Sequence, residues 1–378
     1  MAATKSPFLS LPAAVDVASL GTGHDAGIPA HYGNPLGEQR ALADGRAIVD
    51  LSDRAVLSIT GPDRLGWINS ITSQSVTGLQ PGESSETLFL DINGRLEYAV
   101  RLIEDGETLW LLVEHGEAEG LLDWLQKMRF MLRVELADHS ADLATIGTLG
   151  EPPLPIAAPN GVPLIWRDPW HAVTAGGHQY ARGEHPGASW SWSERIVPRD
   201  ALPSLVARVT AGEFPVAGLL AVEALRIAAW RPRFATEVDE KTIPHELDWL
   251  RTAVHLTKGC YRGQETVAKV HNLGHPPRRL VMLHLDGSEG VHPVRGSVVS
   301  LDGREIGLVT SSALHYELGP IALAVVKRSA DASATLTVDV DGTAVAAAQE
   351  VVVPPEAGAE ASVPRLPRLG GVTRQPRA

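Results

Sequence analysis

The first half of the chain alternates short apolar runs with turn residues, a pattern typical of antiparallel hairpins. Asn93-Gly94 separates the run 88–92 from the run 96–100, and Asp105-Gly106 precedes the run 108–113. Asn-Gly and Asp-Gly suit two-residue hairpin turns, because both central residues of such a turn need positive φ. The pattern therefore predicts an antiparallel sheet here, with further strand segments within 48–60.

Apolar residues spaced three or four apart predict helices between these strands. Gly61-Pro62-Asp63 is typical of a helix start, because the missing N–H of proline costs nothing there. A second helix is predicted over 117–131, and two more over 201–210 and 216–229. The apolar face of the 117–131 helix is predicted to consist of Leu121, Leu122, Leu125 and Met128.

After about residue 276 the pattern changes to short β-like runs separated by turns. Asp-Gly pairs mark turns at 286–287, 302–303 and 341–342. Short strands at this spacing are typical of a small all-β barrel. The whole chain is therefore predicted to be an α+β protein that ends in a barrel.

These patterns divide the chain into four segments. Residues 1–27, rich in Ala and Gly, are predicted to be a flexible lead-in, and 28–275 a body of two packed subdomains. The barrel is predicted over 276–352. Pro, Ala, Gly and Arg dominate 353–378, which predicts a disordered tail.

The bulk composition argues against several classes of protein. A formal charge of −12 disfavours a general nucleic-acid binder, which needs a basic face. No run approaches the roughly 18 uninterrupted apolar residues of a membrane helix. The first residues lack a hydrophobic signal region, and one cysteine cannot form an internal disulfide. We therefore expect a cytoplasmic protein that binds neither nucleic acid nor membrane.

The octapeptide Lys258-Gly-Cys-Tyr-Arg-Gly-Gln-Glu265 concentrates chemistry in a loop-like stretch. Cys260 is the only cysteine of the chain, and a nearby cation such as Lys258 is one way to lower the pKa of a thiol. Glycines free the backbone for a tight turn or close approach to a ligand. The alternative is a structural turn with an inert cysteine, since free cysteine is often buried. The polar neighbours favour a functional loop.

Three further groups of residues have both a structural and a functional interpretation. Glu223 and Arg226 project from one face of a predicted helix, either as a solvated ion pair or as ligand contacts. Four tryptophans fit an aromatic ligand wall or, more commonly, core packing: Trp166, Trp170, Trp190 and Trp192. The cations in and after the octapeptide fit surface charge or an anion site: Lys258, Arg262, Lys269, Arg278 and Arg279.

Metal binding has little support in the sequence. His271 and His275 have the spacing of two ligands on one helical face. Gly274, Pro276 and Pro277 disfavour a helix there, and no third ligand is evident. We therefore predict no metal site.

The octapeptide resembles the signature of the YgfZ proteins, which are folate-binding relatives of the glycine-cleavage T-protein, an aminomethyltransferase. Flanking segments resemble the same superfamily, so the resemblance covers about residues 30 to 350. These segments are 45–52, 59–64, 223–227, 243–247, 265–269 and 277–280. Lys269 stands where the family usually has Arg.

The resemblance implies a folate-binding body followed by a small barrel, with tetrahydrofolate as the cofactor. In its functional loop, Cys260 would be the reactive group and Lys258 would lower the pKa of the thiol. The other residues implied to contact the ligand are Tyr261, Gly263, Gln264, Glu265 and, more weakly, Glu223 and Arg226. By the same resemblance the protein assists assembly or repair of iron–sulfur clusters, with assembly proteins or client enzymes as partners.

Other functions stay open at this stage. The T-protein resemblance implies transfer of an aminomethyl carbon to tetrahydrofolate, or demethylation of a small amine, with an Asp from a Gly-Gly-x-x-Asp-Asp segment. The matching segment 93–98 has Glu97 instead. A conventional cluster needs about four thiolates, so the single cysteine cannot hold one alone. A third interpretation is an interaction protein that kept the fold without the ligand. Whether the protein is an enzyme is left open.

Overall fold

The computed structural model describes residues 5–21, 25–288 and 290–361. The predicted hairpins form part of a five-stranded antiparallel sheet with the strand order β5-β6-β7-β4-β8. Its strands are β4 (Ala55–Thr60), β5 (Ser84–Leu90), β6 (Leu96–Glu104), β7 (Thr108–Val113) and β8 (Glu135–Asp138). Gly94 and Gly106 have positive φ at the two predicted turns, as that turn chemistry requires.

Two helices pack their apolar faces against this first sheet: α2 (Arg64–Ile71) and α3 (Ala118–Met128). Leu121 and Leu125 of α3 are fully buried, as predicted. Met128 was predicted on the same face but is exposed, because the helix ends there and the chain turns away into solvent.

A second five-stranded sheet has the order β10-β11-β9-β3-β12. Its strands are β3 (Ile48–Asp50), β9 (Leu143–Thr148), β10 (Ile165–Arg167), β11 (Ser193–Pro198) and β12 (Val216–Ala217). Around it lie α1 (Pro35–Ala43), α4 (Leu202–Thr210), α5 (Leu219–Ala228) and the two-stranded sheet of β1 (Val15–Asp16) and β2 (Pro29–His31).

The last part of the chain is a closed six-stranded barrel of order β13-β16-β15-β14-β17-β18, which confirms the α+β fold with a C-terminal barrel. Its strands are β13 (Arg278–Leu285), β14 (Val298–Leu301), β15 (Arg304–His315), β16 (Gly319–Lys327), β17 (Leu336–Val340) and β18 (Thr343–Val351). Two short helices, α6 (Phe234–Glu237) and α7 (Gln264–Leu273), lie between α5 and the barrel along the chain.

Part of the segment predicted to be a flexible lead-in is packed against the body. Residues 7–10 form a 3-10 helix, and Phe8 is fully buried beside Ile48 and Ile146 of the second sheet. Burial of one large apolar side chain is thus enough to order this part of the segment, although its composition is rich in Ala and Gly. Residues 1–4 and 22–24 lie outside the described part of the chain.

The start of the predicted tail is also packed. Val353 and Ala357 are buried in the main core, and Glu360 donates its backbone N–H to His271 O at 2.9 Å. The rest of the predicted tail, 362–378, lies outside the described residues. Among the helices that the structure describes, none is both long and apolar enough to cross a bilayer.

Candidate functional site

The octapeptide is a loop that leads into α7 and packs on the β5–β6 hairpin. Gly263 caps α7 with φ +81°, and a Cβ placed on it would lie only 2.6 Å from Asp91 O. Gly94 of the hairpin is also close from the other side, because a Cβ placed on it would lie 3.0 Å from Thr266 Cβ. Glycine at both positions therefore allows the two backbones to touch. Cys260 is exposed at the surface of this loop.

Lys258 anchors the loop to the end of α2. Its ammonium donates to the carbonyl oxygens of Asn69 at 2.6 Å, Thr72 at 2.7 Å and Gln74 at 2.7 Å. These carbonyls include ones left free at the helix C-terminus, where a cation is favoured. Burial lowers the pKa of Lys258 to about 8. All three donors are directed to carbonyls, so the structure gives Lys258 an anchoring role, and its predicted effect on the thiol stays a prediction.

The other octapeptide side chains close the loop on itself or face outward. Tyr261 is buried beneath Lys258, whose Nζ lies 5.2 Å from the ring centroid. Gln264 Nε2 donates to Lys258 O at 3.2 Å. Glu265 is exposed. Arg262 forms an ion pair with Glu97 at 2.7 Å, so Glu97 is turned towards the loop.

The central cavity lies elsewhere, between the two sheets and α5, and has a volume of about 50 Å³. No octapeptide residue lines it, whereas Glu223 and Arg226 do. The loop is nevertheless near one end of the cavity. Glu97 is two residues from Ala99, which lines the cavity, and two residues of a strand span about 7 Å.

Tryptophans form much of the cavity wall. Trp166, Trp190 and Trp192 line it together with Trp249, and all four are buried. The rings of Trp190 and Trp192 are stacked with centroids 5.7 Å apart. Trp170, the fourth predicted tryptophan, does not line the cavity; it packs in the core and donates to Ala229 O. Three of the four predicted tryptophans therefore fit the ligand wall, and Trp170 fits core packing.

The rest of the wall is a network of buried ion pairs. Arg233 pairs with Glu114 at 2.6 Å, with Asp25 at 2.5 Å and with Glu223 at 3.4 Å. Arg226 pairs with Glu223 at 2.5 Å, and only 4% of its side chain is exposed. Of the two alternatives, the solvated pair is therefore excluded, since this pair forms part of a buried network.

A second group of ion pairs surrounds Glu194 and Arg231. Arg54 and Arg101 both pair with Glu194, and Trp192 Nε1 donates to the same carboxylate at 3.1 Å. Burial alone would raise the pKa of Glu194, but the two arginines outweigh it and lower that pKa, so the group is ionised. Arg231 pairs with Glu86 at 2.6 Å and Asp168 at 2.9 Å.

Several of these side chains keep an unpartnered polar atom among the described residues. The cavity-lining atoms of this kind include Glu194 Oε2, Arg101 Nη1, Arg231 Nη1, Arg54 Nε and Trp249 Nε1. A buried donor or acceptor without a partner costs about 1–3 kcal/mol, so such groups are typical of a binding site. These atoms offer hydrogen-bonding partners that match the edge of a planar polar ring.

Sequence reasoning missed Glu194, Arg101 and Arg231. A signal was present for Arg101, which stands between Val100 and Leu102 in a strand, where a charge needs a special partner. Their partners come from other elements, so no local pattern identifies them.

The two histidines considered as metal ligands are engaged separately. His271 lies in the last turn of α7, contrary to the expectation of no helix, and its Nδ1 is 3.0 Å from Tyr180 Oη. His275 follows the helix, with Nδ1 2.8 Å from Ala357 O. Within the described ranges no group of three or more His, Cys, Asp or Glu side chains has a geometry that could hold a metal ion.

Comparison with known proteins agrees with this architecture. Residues 278–355 match the glycine cleavage T-protein C-terminal barrel domain. The chain is 27% identical over 308 residues to an aminomethyltransferase of Herpetosiphon aurantiacus, covering 79% of this chain and 84% of the relative. It is 29% identical over 332 residues to an aminomethyltransferase of Thermus thermophilus, covering 85% and 90%.

A solved structure shows the same fold. The glycine cleavage system aminomethyltransferase T of Bartonella henselae superposes with a TM-score of 0.67 at 19% identity, covering 87% of this chain and 91% of that one. The chain therefore shares the fold of the T-protein-like aminomethyltransferase superfamily, including its C-terminal barrel.

Proposed function

We propose that this chain binds a reduced folate, tetrahydrofolate, in the central cavity and acts in folate-dependent one-carbon transfer of the aminomethyltransferase kind. The observation that carries the proposal is the set of unpartnered polar atoms between tryptophan walls. The relatives named above are aminomethyltransferases, which supports the reaction class.

The chemistry of the cavity suits the pterin end of a folate. Its ring edge carries N–H groups that a carboxylate such as Glu194 accepts, and a carbonyl that donors such as Arg101 and Arg231 can reach. Trp166 and Trp192 offer flat apolar surfaces for the ring faces. When bound, tetrahydrofolate supplies the nitrogen that accepts the one-carbon unit.

The volume of the cavity sets a condition on binding. About 50 Å³ holds only a few water molecules, at roughly 10–15 Å³ for each. Side chains at the cavity mouth must therefore move before a pterin can enter. We expect association slower than the usual 10⁵–10⁷ M⁻¹s⁻¹ or so of binding without rearrangement.

The position of Glu97 bears on the transfer step. Its carboxylate is held by Arg262 and does not line the cavity. Aminomethyl transfer with Glu97 in the expected acid's place requires that this ion pair open. Production of a methylene-folate from tetrahydrofolate and an aminomethyl donor tests this, and Arg262→Gln is expected to raise the rate because it frees the carboxylate. Failure to turn over any such aminomethyl donor would exclude the proposed transferase activity.

Iron–sulfur maintenance is the second candidate, favoured by one observation. Cys260, the only thiol of the sequence, is exposed on a loop that Lys258 anchors, where another protein can reach it. The single thiol would act on a client protein's cluster, with assembly proteins or client enzymes as partners. Cys260→Ser should then lower the activity of iron–sulfur enzymes in cells without affecting folate binding. Unchanged enzyme activities would remove this candidate.

Calorimetric titration with anaerobic tetrahydrofolate tests the binding proposal directly. Glu194→Gln should weaken binding about tenfold to a hundredfold, because a charged hydrogen bond contributes about 1.5–3 kcal/mol. Glu240→Gln is the control, since 83% of the Glu240 side chain is exposed and Glu240 does not line the cavity. Absence of saturable binding by the wild type, or equal affinities for wild type and Glu194→Gln, would overturn the proposal.

A further inference from the structure

The mouth of the central cavity can be located from the burial of its lining. Among the described residues that line the cavity, four are not fully buried: Ala99, Arg101, Glu223 and Phe234. The side chains of Arg101 and Glu223 are each 15% exposed. Because exposure is concentrated at these residues, the mouth lies between β6 on one side and α5 with the start of α6 on the other.

A wide groove lies next to this mouth, on the side of α5. It runs beside the barrel, has a volume of about 1020 Å³ and shares Glu223 with the cavity. Charged side chains of both signs line it, among them Arg278, Lys327 and Glu305, so its charge selects no ligand. We call it the barrel groove. It places a large space directly beside a cavity of about 50 Å³.

A single layer of side chains separates the two spaces near Glu223. Arg226, which lines the cavity, donates to Glu237 Oε2 at 3.1 Å and to Thr236 Oγ1 at 3.1 Å. Glu237 and Thr236 line the barrel groove. Both belong to α6, and Phe234 at the start of the same helix lines the cavity. The one turn of α6 therefore forms the wall between cavity and groove.

The position of α6 depends mainly on one carboxylate. Glu237, the one buried residue of α6, accepts hydrogen bonds from Thr310 Oγ1 at 3.1 Å and Ser311 Oγ at 2.6 Å, both on β15. It also accepts one from the backbone N of Arg233 at 2.7 Å. A single helical turn has little stability of its own, and Phe234 is only half buried. Polar contacts of Glu237, more than burial of an apolar face, thus hold α6 against the barrel.

We infer that α6 is a lid over the central cavity, which opens towards the barrel groove when the hydrogen bonds between Glu237 and β15 break, with Phe234 as the side chain that closes the mouth. The identity of the molecule that passes the lid rests on the proposed function. A pterin ring does not fit in about 50 Å³, so it enters only while the lid is open. The same hydrogen bonds re-form over the bound molecule, so lid opening limits both association and dissociation.

A thiol placed in the cavity measures lid opening without any ligand. Val222 lines the cavity and is 5% exposed, and Cys260→Ser removes the only native thiol. In the double variant Cys260→Ser/Val222→Cys, methyl methanethiosulfonate should label the introduced thiol at a rate proportional to the open fraction of the lid. Adding Ser311→Ala removes one hydrogen bond to the Glu237 carboxylate and should raise this labelling rate about tenfold.

Ser312→Ala is the matched control in the same background. Ser312 also lies on β15 and lines the barrel groove, but its hydroxyl donates to Pro293 O and not to α6. It should leave the labelling rate unchanged. Phe234→Ala, which removes the closing side chain, should raise the rate at least as much as Ser311→Ala. Circular dichroism confirms that each variant is folded.

Stopped-flow binding of tetrahydrofolate connects the lid with the ligand. Ser311→Ala should raise the association and dissociation rate constants by a similar factor and leave Kd within about twofold, because the hydrogen bond is lost from the free and the bound protein alike. Equal labelling rates for Ser311→Ala and Ser312→Ala, or an unchanged association rate constant in Ser311→Ala, would overturn the inference. Absence of tetrahydrofolate binding would overturn the proposed function alone, since the labelling rates still decide whether α6 is a lid.

Discussion

Replacing Lys258 by Met tests whether the octapeptide lysine is an anchor. The ammonium makes three hydrogen bonds to carbonyls, and each bond of a charged donor contributes about 1.5–3 kcal/mol. All three share one cation, whose removal from water costs several kcal/mol. The net loss of unfolding free energy is therefore expected to be about 2–4 kcal/mol. Met keeps the stem that packs over Tyr261, so lost packing adds little.

Urea unfolding followed by tryptophan fluorescence measures this loss, and hydrogen exchange of residues 256–263 should quicken in parallel. Lys241→Met is the matched control, because 69% of the Lys241 side chain is exposed, and it should change stability by less than about 0.5 kcal/mol. Lys258→Arg distinguishes an anchoring role of Lys258 from a role of its positive charge. It keeps a cation near the thiol but cannot present three donors from one nitrogen, so it should destabilise nearly as much as Met. Full stability of Lys258→Arg, or of Lys258→Met, would refute the anchoring role.

Three further predictions concern backbone and charge. Gly263→Ala should lower the melting temperature far more than Gly116→Ala. Both glycines have φ +81°, but only at Gly263 would a Cβ lie 2.6 Å from a carbonyl oxygen. Equal shifts in melting temperature would show that the hairpin contact is unimportant. Arg233→Met should cost about 3–5 kcal/mol at neutral pH. Burial on its own would raise the pKa of Glu114, but Arg233, Arg54 and Arg101 together hold that pKa well below its ordinary value of 4.5. This stabilisation is therefore present above the ordinary pKa and is lost only as the pH falls below it, so urea unfolding at about pH 3 should show a smaller cost than at about pH 7. Burial raises the pKa of Asp248 to about 7, so wild-type stability should fall as pH rises from about 4 to 7. Thermal melts of Asp248→Asn should show a smaller fall, because buried Asp53 and Glu117, with pKa values raised to about 7 and 8, still contribute.

Burial of the ionisable network explains why these charge predictions are large. Arg233, Glu114 and Asp25 each have a side chain no more than 5% exposed. Breaking one member leaves charges that solvent cannot screen. The surface pair of Arg46 and Asp44, with side chains about 60% exposed, is expected to contribute well under 1 kcal/mol.

Local pattern was sufficient for the hairpins, for the helices α2 to α5 and for the barrel. Turn chemistry at Asn93-Gly94 and Asp302-Gly303 acts over two residues, and the period of apolar positions acts over one element. The octapeptide was likewise visible as sequence, since its unusual density of glycine, thiol and charge is contiguous. The lead-in was misjudged because composition averages over residues, whereas one buried side chain, Phe8, decides whether the segment packs.

Only the tertiary structure decided which charges meet in the cavity and what Lys258 contacts. Arg233 reaches Glu114 across 119 positions of sequence and Asp25 across 208. Such pairs form because burial makes an unpaired charge prohibitively costly, and no local rule specifies which distant residue supplies the partner. Lys258 is another example. It lies two positions from Cys260 in the sequence, but in the folded chain its ammonium donates all three hydrogen bonds to carbonyl oxygens at the end of α2.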